Sequence, residues 1–179
     1  MDSADSAAVG RPEASEYVSY YEKYVSRVPE TDLVAALARD AETTRSLLRS
    51  IPESRADHRY EPGKWSIRQV FQHMVDAERV FGFRAFWFAR NAGTPQPGME
   101  QDDFVKAAPA ATPLASLAAE FEHVRQGHIL FFSGLDPEAW RRSGIASGNT
   151  FSVRALAAIL VGHARHHGAV LRERYGVTA

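Results

Sequence analysis

Four long stretches of this chain repeat apolar residues at the 3.6-residue spacing of an α-helix, and no segment shows convincing strand alternation. The stretches lie near residues 31–50, 66–91, 112–135 and 152–175, and proline or glycine marks the breaks between them. One connection is short and two are long, which is typical of helices packed side by side. We therefore predict an all-α fold, an antiparallel four-helix bundle.

A tyrosine-rich segment precedes the first of these stretches. Its aromatic density favours a short amphipathic arm that packs on the body: Tyr17, Tyr20, Tyr21 and Tyr24. The chain of 179 residues is long enough for one ordinary domain. We predict an N-terminal arm over residues 1–29 and a bundle domain over residues 30–176.

Three details of the helices and loops are open to a structural check. Thr112 is expected to cap the third helix, with Pro113 at its first helical position. Residues 83–88 are apolar nearly all round the helix, which indicates burial on more than one side or a subunit interface. The long connections, 92–112 and 136–151, are either functional or carry a short helix.

Composition excludes several classes of protein. The formal net charge of −1 is unlike the strongly basic balance of nucleic-acid-binding proteins. No apolar run reaches the roughly 18 residues of a transmembrane helix, and no signal-peptide pattern opens the chain. Cysteine is absent, which excludes disulfides and thiolate ligands. We expect a cytoplasmic protein without nucleic-acid or membrane partners.

His163 and His167 lie one helical turn apart within the apolar stripe of the last helix, so both project from one face. Such a pair can bind one divalent ion, and a third histidine would complete a site with open positions. The alternative is a pair of hydrogen-bonded packing residues. Gly162 and Gly168 flank the pair and indicate either room for a ligand or a tight helix crossing. His73 lies at the edge of the second stripe, a position that suits either a metal ligand or an exposed polar residue.

Other polar residues near these histidines are weaker candidates. His128 falls on the third stripe and is considered as a pocket residue or an additional ligand. His166 is expected to face another helix or solvent. Asp76 and Glu78 lie closest to His73 in sequence and could orient its ring, although surface salt bridges are the favoured role for both. The general base of a His-Glu-x-x-His protease is missing, because Ala164 follows His163.

Four motifs resemble those of the DinB-like (damage-inducible, YfiT-type) superfamily. They occupy residues 63–73, 76–79, 136–140 and 162–167, and the likeness extends over residues 31–175. The resemblance implies a four-helix bundle, often dimeric, that holds one divalent metal through three histidines. Carried over by position, these ligands are His73, His163 and His167. Some members of the superfamily are transferases or isomerases that depend on a low-molecular-weight thiol, and others are proposed hydrolases.

Three neutral imidazoles would leave a divalent ion its full charge, so that it could activate a water or a thiol. We therefore expect a metal-dependent enzyme that acts on a small-molecule substrate by thiol S-transfer or hydrolysis, as a homodimer. The alternative is a non-catalytic dimeric metal-binding or small-molecule-binding module. Imidazole ligands do not distinguish zinc, nickel and iron. The sequence identifies no catalytic side chain beyond the metal ligands.

Overall fold

The computed structural model describes residues 9–178. Four long helices form the bundle: α2 (Leu33–Arg49), α3 (Ile67–Ala89), α5 (Leu114–Ser133) and α7 (Val153–Glu173). Shorter helical elements precede or connect them: α1 (Glu22–Val25), α4 (Gln101–Ala107), α6 (Pro137–Arg141) and three 3-10 turns at Ala14–Glu16, Ser19–Tyr21 and Glu53–Arg55. The predicted four-helix architecture is therefore present, with the predicted spans correct to within a few residues.

The all-α prediction holds only approximately, because a β-hairpin precedes α7. Strands β1 (Ser143–Ala146) and β2 (Asn149–Ser152) pair antiparallel. The turn between them has positive φ at Ser147 (50°) and Gly148 (73°), as two-residue hairpin turns require. Strands of four residues are too short to show an alternating pattern, and a serine with positive φ gives no signal in the sequence.

Side-chain caps explain why three of the four bundle helices begin where the sequence indicates. Asp32 accepts a hydrogen bond from the Ala35 amide (2.9 Å) at the start of α2, and Ser152 caps α7 in the same way. Ser66 begins α3 with a capping box completed by Gln69. These caps are local, so each start could be read from a few residues.

The predicted start of α5 is wrong by one residue. Pro113, expected at the first helical position, is the N-cap residue, and Thr112 does not cap the helix. Proline has no side-chain acceptor, and the amide of Leu114 instead donates to Oε2 of Glu53 at 2.7 Å. The cap therefore comes from a 3-10 turn 61 residues away, which local sequence does not indicate.

The tyrosine-rich segment packs on the body of the bundle, where α1 contacts α7. Tyr17 and Tyr24 are buried, whereas Tyr20 is exposed. Gly162 lies where α1 crosses α7, and a Cβ atom there would overlap the backbone carbonyl of Tyr24. Of the two interpretations of Gly162, the tight helix crossing is therefore correct. Residues 1–8 of the predicted arm lie outside the described part of the chain.

The apolar segment 83–88 of α3 is only partly buried. Ala85 and Phe88 lie in the core, but Phe83 (48% exposed) and Phe86 (42% exposed) face outward. Among residues 9–178, no helix combines the length and apolar character needed to cross a membrane.

Candidate metal centre

The three histidines predicted as ligands come together between two bundle helices. His73 projects from α3, and His163 and His167 project from successive turns of α7. One ring nitrogen from each lies within 4.8 Å of the others. The Nε2 atoms of His73 and His163 are 3.0 Å apart. That these residues bind a metal stays a prediction, but the geometry required for it is present.

Aromatic side chains surround the three rings. The Trp65 ring lies 4.9 Å from that of His73, and the rings of Tyr24 and Phe81 lie 5.2 and 6.0 Å from that of His163. His73 and His163 are buried, and His167 is partly exposed. The aromatic rings of Trp65, Tyr24 and Phe81 therefore form part of the wall around the imidazoles.

Burial makes the three histidines weak bases. It lowers the pKa of His73 to about 4 and holds the pKa values of His163 and His167 well below their usual range. The rings are therefore neutral at physiological pH, the state in which an imidazole binds a metal. Within residues 9–178, the Nδ1 atoms of His73 and His167 are buried without a hydrogen-bond partner.

A cluster of this kind is costly unless something binds to it. Each buried polar group without a partner costs about 1–3 kcal/mol, and the three imidazoles share only one close nitrogen contact, between His73 and His163. A divalent ion accepts lone pairs from several neutral imidazoles at once. The donor set therefore fits such an ion.

The predicted roles of the neighbouring acidic residues need correction. Glu78 is not on the surface: it is 1% exposed and pairs with Arg125. Asp76 is partly buried and accepts a hydrogen bond from Gln72 (3.0 Å). In the described chain neither carboxylate is hydrogen-bonded to His73: Asp76 pairs with Gln72, and Glu78 pairs with Arg125.

The remaining histidines lie outside the cluster. His128 places Nδ1 3.2 Å from Oε2 of Glu78, and its ring fills the space left by the missing side chain of Gly82. It is therefore neither in the cluster nor in a position to complete it. His166 packs against Tyr24, with ring centroids 5.4 Å apart, which agrees with the expectation that it faces another element.

A buried charge cluster that the sequence analysis missed joins all four bundle helices. Arg125 of α5 is fully buried and donates to Glu78 of α3 (2.9 Å), to Asp40 of α2 (2.9 Å) and to the carbonyl of Leu160 in α7 (3.1 Å). Burial opposes ionisation of Glu78, but Arg125 outweighs it and holds the pKa of Glu78 below its ordinary value. Burial raises the pKa of Asp40, and Arg125 opposes that rise.

A signal for this cluster was present in the sequence. Arg125 follows Phe121 by four residues, Glu78 follows Met74 by four, and Asp40 follows Ala36 by four, so each charge lies on a buried helical face. One cation and two anions at core positions of three helices indicate a buried ion cluster.

Two clefts reach the histidine cluster from different sides. The first cleft, of about 360 Å³, has His73, His163, Arg84 and the arm tyrosines in its lining. The second cleft, of about 400 Å³, includes His167, together with Lys64 and Asp102. Residue Gln101, at the start of α4, borders both clefts. The long connection 92–112 therefore contributes to the walls of the candidate site.

Comparison with solved structures places this fold among known proteins. YfiT from Bacillus subtilis, described as a probable metal-dependent hydrolase with an unusual four-helix bundle topology, superposes with a TM-score of 0.71. The sequences are 16% identical, over 94% of this chain and 96% of that one. The mycothiol-dependent maleylpyruvate isomerase superposes with a TM-score of 0.69 at 11% identity, over 87% of this chain and 64% of that one.

Sequence comparison identifies the family. No curated protein matches the chain significantly. The sequence profile of the DinB superfamily, however, matches residues 36–171, which include α3, α5, most of α7 and all three clustered histidines. This chain belongs to the DinB superfamily.

Proposed function

We propose that this chain is a metal-dependent enzyme in which His73, His163 and His167 hold one divalent ion, and that it catalyses thiol S-transfer or hydrolysis of a small molecule. The observation that carries the proposal is the convergence of three neutral imidazoles, with two buried Nδ1 atoms unpartnered in the described chain. Zinc, nickel and iron all suit imidazole ligands. A bound divalent ion supplies Lewis acidity, which lowers the pKa of a thiol or a water.

The chain's own groups prepare the site for that chemistry. Burial keeps the imidazoles unprotonated, so protons do not compete for their lone pairs. Trp65, Tyr24 and Phe81 pack against the imidazole rings and give the site an aromatic wall. Three protein ligands leave coordination positions open, which is the arrangement of catalytic sites.

The two clefts favour a reaction between two molecules. His73 and His163 border the first cleft and His167 borders the second, so two ligands can approach the cluster from different directions. The described activities of structural relatives are compatible with both branches of the proposal: YfiT is described as a probable metal-dependent hydrolase, and the isomerase as mycothiol-dependent. A low-molecular-weight thiol in one cleft and an electrophile in the other would both reach the histidine cluster.

The proposal can be tested by metal analysis and turnover on the same preparations. Protein purified without an affinity tag should contain about one divalent ion per chain, and the His163→Ala variant should contain almost none. His123→Ala is the matched control, because His123 is exposed, lies outside the cluster and has its Nδ1 atom hydrogen-bonded to the carbonyl of Ala119 (2.7 Å). The metal-loaded protein should turn over either a thiol with an electrophile or an ester or amide panel. Equal metal content in the two variants would contradict the proposed ligand set.

The alternative remains a dimeric binding module without turnover. It predicts a bound metal but no reaction with any thiol or hydrolytic substrate, and a coordination shell closed by a fourth protein group. The position of His128, which is hydrogen-bonded to Glu78 and outside the cluster, argues against closure by that residue.

A further inference from the structure

Arg84 of α3 is a buried cation in the lining of the first cleft. It is 3% exposed, and it shares the cleft with His73 and His163. Arg84 lies eleven residues after His73 on the same helix, which separates the two by about 16 Å along its axis. A molecule that spans the cleft could therefore contact Arg84 with one end and the histidine cluster with the other.

The contacts of Arg84 leave its charge uncompensated. Its Nη2 donates to the carbonyl of Pro97 (2.7 Å) and to Oγ of Ser147 (3.2 Å), and both acceptors are neutral. The hydroxyl of Tyr21 is a further partner, and it too is neutral because burial raises the pKa of Tyr21. Within residues 9–178 Arg84 makes no salt bridge to a carboxylate. The other buried arginine, Arg125, has two carboxylate partners.

This difference points to a ligand. A buried charge without a counterion is expensive, and folded proteins pair such charges. Burial lowers the pKa of Arg84, in keeping with an environment that disfavours its charge. Among the residues that the structure describes, the one acidic residue in the lining of this cleft is Glu100, which is exposed and does not pair with Arg84. An anion that enters the cleft would supply the missing counterion.

The surroundings of Arg84 indicate what the rest of that ligand looks like. The Phe81 ring lies 5.8 Å from its guanidinium carbon, and Tyr20, Tyr21 and Tyr24 line the same cleft. Guanidinium groups bind carboxylates and phosphates through two parallel hydrogen bonds, and aromatic walls favour a flat or apolar body.

We propose that Arg84 is an anion-binding subsite of the first cleft, and that the substrate is a small oxyanion with an apolar or aromatic body. Its anionic group would bind Arg84 and its reactive group would face the histidine cluster. The second half of this statement rests on the proposed function, whereas anion binding at Arg84 does not. A purely structural role, in which Arg84 only ties the 92–100 loop to the hairpin turn, makes different predictions.

The test measures binding rather than turnover. Benzoate and benzamide, its uncharged analogue, are each titrated into the protein as purified, and binding is followed by calorimetry or NMR. Both titrations are repeated with a chelator present. Phenyl phosphate and inorganic phosphate are titrated in the same way, and their affinities relative to benzoate distinguish a carboxylate subsite from a phosphate subsite. We expect one of the organic anions to bind about tenfold or more tightly than benzamide, with the chelator making little difference.

Variants locate the binding. Arg84→Gln should remove the preference for the anion, and Arg84→Lys should retain part of it because the charge remains. Arg79→Gln is the matched control: Arg79 is on the same helix, 50% exposed at its side chain, and outside the first cleft. A thermal melt of each variant reports the structural role separately. If Arg84→Gln does not fold, Arg84→Lys takes its place, because a weakened anion preference in that variant still assigns the binding to Arg84.

Three results would overturn the proposal. They are equal or undetectable binding of the anions and benzamide, an anion preference that survives in Arg84→Gln, and a preference that chelation abolishes, which would place the anion on the metal. Failure of the proposed function looks different: anion selectivity would persist while metal content and turnover are lacking.

Discussion

Replacing Arg125 with methionine should destabilise the protein by about 3–5 kcal/mol, the cost of removing one partner from a buried ion pair. Methionine is similar in length but removes the cation that contacts both carboxylates, which leaves Asp40 the longer contact with Arg165 (3.4 Å) and Glu78 the contact with His128 (3.2 Å). Because the side chain of Arg125 is fully buried, solvent screening does not reduce this cost. In a domain of this size, the midpoint of thermal unfolding should fall by roughly 6–20 °C, at roughly 2–4 °C per kcal/mol.

The effect should also depend on pH. Burial disfavours the Glu78 carboxylate, but Arg125 outweighs burial and keeps its pKa below the ordinary value. Its stabilising contribution is therefore present above the unfolded-state pKa of about 4.3 and is lost as the pH falls through the folded-state pKa. Without Arg125, burial raises the pKa of Glu78 against only the contact with His128, so the penalty of the substitution is largest at neutral pH and shrinks on acidification.

Urea unfolding followed by circular dichroism, at neutral pH and near the unfolded-state pKa, measures both effects. Arg49→Met is the matched control, because Arg49 is an exposed partner of Glu122 and should lose no more than about 1 kcal/mol. Adding Glu78→Gln and Asp40→Asn to the methionine variant should recover part of the loss. A penalty as small as that of Arg49→Met, or one that grows as the pH falls, would refute the reasoning.

Two further predictions concern packing and assembly. Gly162→Ala should lower the free energy of unfolding by about 1–3 kcal/mol, because the added Cβ meets the backbone of Tyr24. Gly127→Ala, where the added Cβ lies in open space, should raise it by about 0.5–1 kcal/mol. Equal midpoints of thermal unfolding for the two variants would contradict the tight crossing. The predicted homodimer should form across the exposed aromatic face of α3 and α5, so Phe86→Asp and Leu130→Asp should each give monomers by light scattering. A monomeric unaltered protein would rule this out.

The helices could be predicted because their signals are local. Asp32, Ser66 and Ser152 each cap a helix through hydrogen bonds to residues three positions away. The hairpin could not, because its strands have four residues each and its turn depends on the positive φ of Ser147. The cap of α5 could not either, because Glu53 comes from a distant turn.

Part of the candidate site could likewise be predicted from local sequence, and part of it could not. The pairing of His163 and His167 follows from their spacing on one helix, but the approach of His73 depends on how α3 and α7 cross, and only the family resemblance implied it. The buried charges were missed because an arginine or a glutamate on an apolar stripe reads as an interruption of the pattern. Burial of Arg125 and of Glu78 is favourable only when the two charges pair, and they come from two different helices.

The most direct test of the account is anomalous diffraction from crystals of the metal-loaded protein at the absorption edge of the bound metal. We predict one strong peak between α3 and α7, with a zinc ion at about 2.0–2.1 Å from a ring nitrogen of His73, His163 and His167, and solvent or a ligand at the open positions. A peak elsewhere in the protein, or none after loading with zinc, nickel or iron, would contradict the three-histidine centre.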